Sequence, residues 1–280
     1  MDKERCVMYE IITETLSISG VSILLGRGVC NARCSHCAGM IHRKTSPLHD
    51  NIPDLVVLEK ILRLCHARGA KSFSVSSAGE PTLSPIAVTE TLRLIDRLAK
   101  EGILYDRVNL YTNGIRIGRN EEFAKEYLSL WQSLGLKWLY ITIHSANEEE
   151  NALFYGVKKY PQIQKIINRS HEAGLLVRAN VVLSKKNVAK AEQFKELVQT
   201  LQTIGVDAVS AWPIRTDDDR EDVLLIPDER ELRAMKQWVS SRTSRDIPVR
   251  ILTKKDHEKY ALGEKLTLFP NGVLSNTWCN

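Results

Sequence analysis

Three cysteines in one short segment carry the clearest chemical signal in this chain of 280 residues. Cys30, Cys34 and Cys37 have the spacing C-x3-C-x2-C and directly follow an apolar stretch. Three thiolates at this spacing can bind three corners of a [4Fe–4S] cluster from one loop, which leaves the fourth iron without a protein ligand. Two alternatives stay open, a Cys3His zinc site and free cysteines that bind nothing. The fourth zinc ligand would be one of three nearby histidines, His36, His42 or His49.

An alternation of apolar strands and amphipathic helices surrounds this segment and predicts repeated βα units around a mainly parallel sheet. The six predicted strands are Ile18–Leu25, Ser72–Ser77, Arg107–Thr112, 138–144, 177–183 and Ala208–Pro213. The five predicted helices between them are 54–67, 86–100, 121–134, 161–173 and 188–203. Six units are fewer than the eight that close a full barrel. We therefore predict an α/β fold, a partial (β/α)6 TIM-like barrel whose functional loops follow the carboxyl ends of the strands.

The pattern changes after Arg215, where a polar segment interrupts the alternation. We predict a barrel over residues 1–215 and a short C-terminal extension over residues 216–280. The extension is expected to hold a helix at 227–240, short strands at 248–252 and 265–269, and a hairpin turn at Pro270-Asn271-Gly272. We expect it to cover one mouth or one side of the barrel.

Composition excludes several classes of protein. With 43% hydrophobic and 26% charged residues, the chain does not resemble disordered, collagen-like or disulfide-scaffold proteins. No apolar run approaches the ~20 residues that cross a bilayer, so no membrane partner is expected. The charged N-terminus does not resemble a signal peptide, and the cytoplasm is the expected location. The net charge of +5 is spread along the chain, so nucleic acid is not the expected partner.

Motifs at four successive predicted strand ends resemble those of the radical S-adenosylmethionine (radical SAM) enzymes. The three cysteines match the defining motif of that family. The sequence AGEP at 78–81 is similar to the family's Gly-Gly-Glu-Pro, with Ala78 in place of the first glycine, and TNG at 112–114 resembles its Thr-Asn-Gly. The sequence ITIHS at 141–145 stands where many members carry Ser-Leu-Asp or Ser-Leu-His. The resemblance covers about residues 17–215 and is nearest to the branch of the molybdenum-cofactor cyclase and the peptide-maturation enzymes.

The resemblance implies that Cys30, Cys34 and Cys37 hold a [4Fe–4S] cluster and that S-adenosyl-L-methionine binds its open iron. The residues implied to contact this cofactor are His36, Ala78, Gly79, Glu80, Thr112, Asn113, Thr142, His144 and Asn180. Gly79 is expected to allow close backbone approach to the methionine moiety, and His36 is expected to lie at the adenine. An arginine that some relatives use for the methionine carboxylate is missing, and Lys158, Lys159 or Arg178 would have to replace it.

The implied reaction is reductive cleavage of S-adenosylmethionine, followed by abstraction of hydrogen from an unidentified small molecule, nucleotide or peptide. A one-electron donor such as flavodoxin or ferredoxin is the implied partner. Cys279 is a candidate hydrogen donor to the substrate, and because no other cysteine follows the hairpin we expect no auxiliary cluster.

The first alternative is an activating enzyme for a glycyl-radical enzyme. The alternatives outside this class are two non-catalytic proteins. A zinc-binding protein would be colourless, whereas an iron–sulfur protein is brown. An RNA-binding protein would show salt-dependent RNA affinity without cleavage of S-adenosylmethionine.

Overall fold

The structure is a computed structural model that describes residues 17–26, 28–34, 36, 37, 39, 52–215, 222–253 and 264–276. Its strands are β1 (Ile18–Leu25), β2 (Ser72–Ser77), β3 (Arg107–Thr112), β4 (Trp138–Thr142), β5 (Leu176–Leu183), β6 (Ala208–Pro213), β7 (Val249–Ile251), β8 (Glu264–Leu268) and β9 (Leu274–Ser275). Its helices of five or more residues are α1 (Leu55–Ala67), α2 (Pro85–Lys100), α3 (Ile115–Arg119), α4 (Ser129–Ser133), α5 (Glu148–Tyr155), α6 (Ile163–Glu172), α7 (Ala191–Thr203) and α8 (Glu229–Ser240), with a π-helix at Ala124–Leu128 before α4. A 3-10 turn at Pro81–Leu83 and a short helical turn at Glu121–Phe123 are the remaining helical segments in the described ranges.

All nine strands belong to one sheet with the order β7-β6-β5-β4-β3-β2-β1-β8-β9. Strands β1 to β6 are parallel neighbours in chain order, and a helix lies in every connection between them. The two edge strands, β7 and β9, do not pair with each other in the described part of the chain, so the sheet stays open. The predicted α/β class and partial barrel are confirmed.

Four of the six predicted strands have the predicted bounds, while β4 ends two residues before its prediction and β5 begins one residue earlier. Strand β4 ends early because the His144 N–H donates to Asn151 Oδ1 (2.9 Å) instead of continuing the ladder. The predicted helix at 121–134 is divided by the π-helix. Helices α3 and α5 were not predicted, and α5 contributes to the site described below.

The C-terminal residues extend the same sheet at both edges. Strand β7 pairs in parallel with β6, and β8 pairs in parallel with β1. The predicted hairpin is confirmed, because β8 and β9 are antiparallel and Gly272 takes the left-handed φ of 82° that its turn requires. Both edges of the barrel are therefore built from residues that follow β6.

The two faces of the sheet differ in chemistry because side chains alternate along each strand. One face is apolar and buried against the helices, as at Val21, Phe73, Leu110, Leu139, Val177 and Val209. The other, which we call the inner face, carries mainly polar residues such as Ser22, Ser74, Asn109, Tyr111, Tyr140 and Arg178. The sheet curves around the inner face, since Lys265 on β8 reaches within 5.4 Å of the ring centre of Tyr111 on β3, although β1 and β2 lie between these two strands in the sheet.

Among the residues described, no helix is both long and apolar enough to span a bilayer.

Candidate active site

The loop that carries the three cysteines follows β1 and is fixed against the end of β2 by backbone contacts. The Glu80 N–H donates to the Val29 carbonyl over 2.8 Å. Gly79 lies so close to this loop that an added Cβ would stand 2.1 Å from the Val29 oxygen, so no larger residue fits there. The backbone that approaches Gly79 so closely is that of the cysteine loop itself.

One cavity of about 250 Å³ at the carboxyl ends of the strands collects most of the predicted site. It is lined by Cys30, Cys34 and Cys37 together with residues from the ends of β2, β3 and β4. The predicted cofactor residues that line it are His36, Gly79, Glu80, Thr112, Asn113, Thr142 and His144. Residues that are far apart in sequence thus meet in one cavity because parallel strands bring their carboxyl ends to one rim.

Two predicted cofactor residues do not line this cavity. The Ala78 side chain is buried in a small apolar cluster with Leu24 and Phe269. Asn180 lies on β5, where its Oδ1 accepts a hydrogen bond from Arg178 Nε (3.0 Å). Cys279, the candidate hydrogen donor, lies outside the described residues, as do two of the histidines considered for zinc, His42 and His49.

Several residues that line the cavity were not predicted as site residues, namely Ala32, Ser76, Ser77, Pro81, Tyr111, Tyr155 and Val182. Tyr155 is the last residue of α5, and the sequence does contain signals for that helix. Asn147 caps its first turn, three glutamates follow, and Gly156 ends it with a left-handed φ of 59°. These capping signals predict α5, and with that helix placed after β4 they make Tyr155 a candidate site residue.

Glu80 is the centre of a buried hydrogen-bond network that joins β2 to β3. Its side chain is only 3% exposed. Oε1 accepts hydrogen bonds from Thr112 Oγ1 (2.6 Å) and from Thr82 Oγ1 (2.7 Å) and N (3.0 Å). Oε2 accepts one from the Asn113 N–H (2.8 Å). Burial raises the pKa of Glu80, and these hydrogen bonds offset only part of that shift.

Asn113 extends this network to the cysteine loop. Its Nδ2 donates to Asn31 Oδ1 over 2.7 Å and lies 3.9 Å from the Cys30 sulfur. Its carbonyl accepts a hydrogen bond from the Tyr160 hydroxyl (2.8 Å). The side of the cavity formed by β2 and β3, which we call the Glu80 side, therefore has its polar groups engaged with one another.

The opposite side of the cavity is formed by His36, His144 and aromatic rings, and we call it the His144 side. The ring centres of His36 and His144 are 5.0 Å apart in an edge-on arrangement, and Phe154 and Tyr155 pack against His144. His144 is 1% exposed, and neither of its ring nitrogens has a hydrogen-bond partner among the described residues. A second cavity of about 50 Å³ adjoins these two histidines and is also lined by Lys186.

Electrostatics keep both histidines neutral near neutral pH. Burial, together with the nearby His36, lowers the pKa of His144 to about 3. Burial and the charge of Lys186 lower the pKa of His36. A neutral imidazole has one donor and one acceptor, so His144 can offer both to a bound ligand.

A family model, the Radical SAM superfamily, matches residues 27–225, which is more than half of the chain. The chain belongs to the radical SAM superfamily. The family prediction made from the four motifs is confirmed.

Among curated radical SAM relatives, the GTP 3′,8-cyclase of Haemophilus ducreyi is 30% identical over 164 residues, which are 58% of this chain and 44% of that protein. The GTP 3′,8-cyclase of Mannheimia succiniciproducens is 26% identical over 176 residues, 61% of this chain and 47% of that protein. The chain thus spans less than half of the length of these relatives.

Among solved structures, Streptococcus suis SuiB bound to S-adenosylmethionine is 18% identical and has a TM-score of 0.66, covering 98% of this chain and 64% of that one. A radical SAM methyltransferase from Sphaerobacter thermophilus is 17% identical with a TM-score of 0.59, covering 92% of this chain and 70% of that one. At these identities the likeness establishes the fold.

The residues of the cavity fit the two cofactors that the family uses. Three thiols line one cavity from a single loop, which is the donor set of a cluster with one open iron. The neighbouring His144 has buried ring nitrogens with no partner among the residues that the structure describes, and a polar ligand in the cavity would supply one.

Proposed function

We propose that this protein cleaves S-adenosylmethionine reductively at a [4Fe–4S] cluster held by Cys30, Cys34 and Cys37. The observation that carries this proposal is the single cavity in which the three thiols meet polar groups from the ends of β2, β3 and β4. A reduced cluster, when bound, supplies one electron to the sulfonium of S-adenosylmethionine, which yields a 5′-deoxyadenosyl radical able to abstract hydrogen from a substrate.

The chain's own residues would bind and shield this cofactor. Thr142 at the end of β4 is suited to hydrogen-bond polar groups of S-adenosylmethionine, and so is the ring of His144, whose nitrogens have no partner among the residues described. His36, half-buried beside Phe154, offers a flat ring to the adenine. The aromatic rings of Phe154 and Tyr155 exclude water from the His144 side, which protects a reactive radical.

Glu80 acts in this proposal as a positioning residue. Both of its oxygens accept hydrogen bonds from Thr82, Thr112 and Asn113, so its role is to fix the ends of β2 and β3 beneath the cysteine loop. The Asn113 amide, close to the Cys30 sulfur, can donate to that thiolate, and such second-layer hydrogen bonds tune a cluster's potential.

The proposal assigns the radical chemistry to residues 1–215, with the extension 216–280 bordering the substrate space. The substrate is a small molecule, a nucleotide or a peptide, and the electron comes from a partner such as flavodoxin or ferredoxin. The cysteines must stay reduced to bind iron, which supports a reducing compartment such as the cytoplasm.

The test is anaerobic reconstitution with iron and sulfide, followed by incubation with S-adenosylmethionine and dithionite. We expect about four irons per chain and formation of 5′-deoxyadenosine. Cys34→Ala should lose iron and the product. Cys65→Ala is the matched control, because this helical thiol is buried and burial raises its pKa to about 12, so it does not act as a ligand. Zinc in place of iron without 5′-deoxyadenosine, or full activity of Cys34→Ala, would overturn the proposal.

A further inference from the structure

The inner face of the barrel holds a group of cations that have no acidic partner within the described part of the chain. Arg178 lies on β5, Arg250 on β7 and Lys265 on β8, and Arg107 stands at the start of β3. None of the four forms an ion pair with a carboxylate of the described residues, whose ion pairs lie elsewhere on the molecule. We call Arg178, Arg250 and Lys265 the lumen cations.

Two tyrosines and one serine contact the lumen cations. The Arg178 guanidinium stacks on Tyr140, with its Cζ 3.2 Å from the ring centre. Lys265 Nζ lies 5.4 Å from the ring centre of Tyr111. Arg250 Nε donates to the Ser210 hydroxyl over 2.6 Å. These partners are neutral, so they orient the cations without neutralising their charge.

The charges influence one another, which indicates that they share one space. Partial burial and the charge of Arg178 lower the pKa of Arg250, and Arg107 adds to this effect, while Tyr140 and Tyr111 oppose it. Burial raises the pKa of Tyr111, but Lys265 and Arg178 more than offset this effect, and the net shift is downward. An arginine that is 8% exposed, as Arg178 is, seldom stays without an anionic partner in a folded protein.

The lumen cations lie next to the cysteine cavity. Tyr111, which contacts Lys265 and packs edge-on against Tyr140 at 5.1 Å, also lines that cavity. Arg250 and Lys265 are exposed to solvent, so a ligand can enter between β7 and β8, the strands near the two open edges of the sheet. A molecule bound there would reach from the cations toward the cysteines.

We propose that the lumen cations bind an oxyanion group of the substrate, a phosphate or a carboxylate, and so direct the rest of the substrate toward the cysteine cavity. Guanidinium groups match the geometry of both anions, and Lys265 adds a point charge. This inference rests on the proposed function, because it names the substrate class of that same site.

The experiment measures binding of two probes, tripolyphosphate and citrate, to the full chain by titration calorimetry after cluster reconstitution. We expect one probe molecule per chain for at least one of the two anions, and the anion that binds more tightly identifies the substrate's group. Arg250→Gln and Lys265→Gln should each weaken that binding about tenfold, the loss of one charge-assisted contact. Arg93→Gln, which removes an exposed arginine paired with Glu90 outside the barrel, should change it less than twofold.

Each variant is first compared with the wild type by urea unfolding, and both substituted lumen positions are solvent-exposed, so the folded state should persist. Absence of binding by either anion, or equal weakening by Arg93→Gln, would overturn the inference.

The second part of the experiment repeats the titration in the presence of saturating S-adenosylmethionine, because Arg178 is also a candidate to bind the methionine carboxylate. We expect the affinity for the probe to stay within twofold when S-adenosylmethionine is bound. Competition between the two would assign the lumen cations to S-adenosylmethionine and overturn the inference. Failure of the proposed function is detected separately, because the wild-type protein would then form no 5′-deoxyadenosine. The calorimetric binding measurement does not depend on that reaction.

Discussion

The Glu80 side and the His144 side of one cavity differ in how far their buried polar groups are hydrogen-bonded. On the Glu80 side, every oxygen of the buried carboxyl group accepts a hydrogen bond from the ends of β2 and β3. On the His144 side, an equally buried imidazole has no hydrogen-bond partner for either nitrogen among the described residues.

This difference separates the frame of the site from its ligand-binding surface. A satisfied network stabilises the fold and leaves little capacity for a ligand, whereas an unsatisfied buried group costs free energy until a ligand supplies its partner. The cost on the His144 side is therefore expected to be recovered when S-adenosylmethionine binds. Removing the buried polar group itself, Glu80 on one side and His144 on the other, should accordingly have opposite effects on the free energy of unfolding.

The largest expected effect is a loss of stability from Glu80→Ala. This substitution leaves the Thr112 hydroxyl and the N–H groups of Thr82 and Asn113 buried without an acceptor. We expect the free energy of unfolding to fall by about 4 kcal/mol, measured by urea unfolding. Glu196→Ala, an exposed helical glutamate, should change it by less than about 0.5 kcal/mol. Similar values for the two variants would show that the network does not stabilise the fold.

The same carboxyl group should give a pH signature. Because burial raises the pKa of Glu80, the folded state retains a proton that the unfolded state releases above its ordinary pKa of 4.5. The contribution of this group is therefore fully present below pH 4.5 and is lost as the pH rises toward the folded-state pKa. The wild type should therefore lose stability relative to Glu80→Gln, whose neutral amide does not titrate, as the pH rises over this range. A difference in stability that stays constant with pH would contradict the assigned direction.

The next effect has the opposite sign and concerns His144→Phe. Phenylalanine has a similar shape and removes two buried nitrogens for which the described part of the chain offers no partner, in a pocket already lined by Phe154 and Tyr155. We expect the free energy of unfolding without ligand to rise by about 1 kcal/mol. The stabilisation that S-adenosylmethionine adds to the reconstituted protein should fall, as read from the urea midpoint with and without it. A variant that is destabilised without ligand, yet binds S-adenosylmethionine normally, would contradict the ligand-binding role.

The stability of the wild type and of His144→Phe should also respond differently to acid. A pKa of about 3 in the folded state, against 6.5 ordinarily, means that the unfolded state binds one more proton between these values. Stability from this group is present above pH 6.5 and is lost as the pH falls toward 3, with a slope of about 1.4 kcal/mol per pH unit. His144→Phe should lack this part of the acid sensitivity, and equal acid profiles would contradict it.

Sequence reasoning identified the strand ends well because the information there is local. The strands before the cysteines, the AGEP segment and the TNG segment all have the predicted bounds, since apolar runs followed by glycine and polar residues mark strand ends. The open barrel could likewise be predicted from the number of βα units.

What sequence reasoning missed depends on contacts between distant residues. Nothing in the sequence indicated that Asn180, predicted at the cofactor from its position on β5, accepts a hydrogen bond from Arg178 and does not line the cysteine cavity. The sequence also could not show that Arg250 on β7 and Lys265 on β8 lie on the inner face. That placement depends on these short strands joining opposite ends of one sheet. The missing partners of His144 are a property of the packed cavity and have no signature in the sequence.

The smallest effect compares one hydroxyl from each side. Tyr160 donates to the Asn113 carbonyl (2.8 Å) on the Glu80 side, and Tyr155 donates to the Thr142 carbonyl (2.6 Å) at the end of β4. Tyr160→Phe and Tyr155→Phe each remove one hydroxyl from a buried hydrogen bond, so both should lower the free energy of unfolding by about 1 kcal/mol in urea. Only Tyr155→Phe should also weaken the binding of S-adenosylmethionine, by a few-fold, since Thr142 and Tyr155 line the cavity and Tyr160 does not. If both variants weakened binding equally, the two sides would act as one unit, and the division between frame and ligand-binding surface would fail.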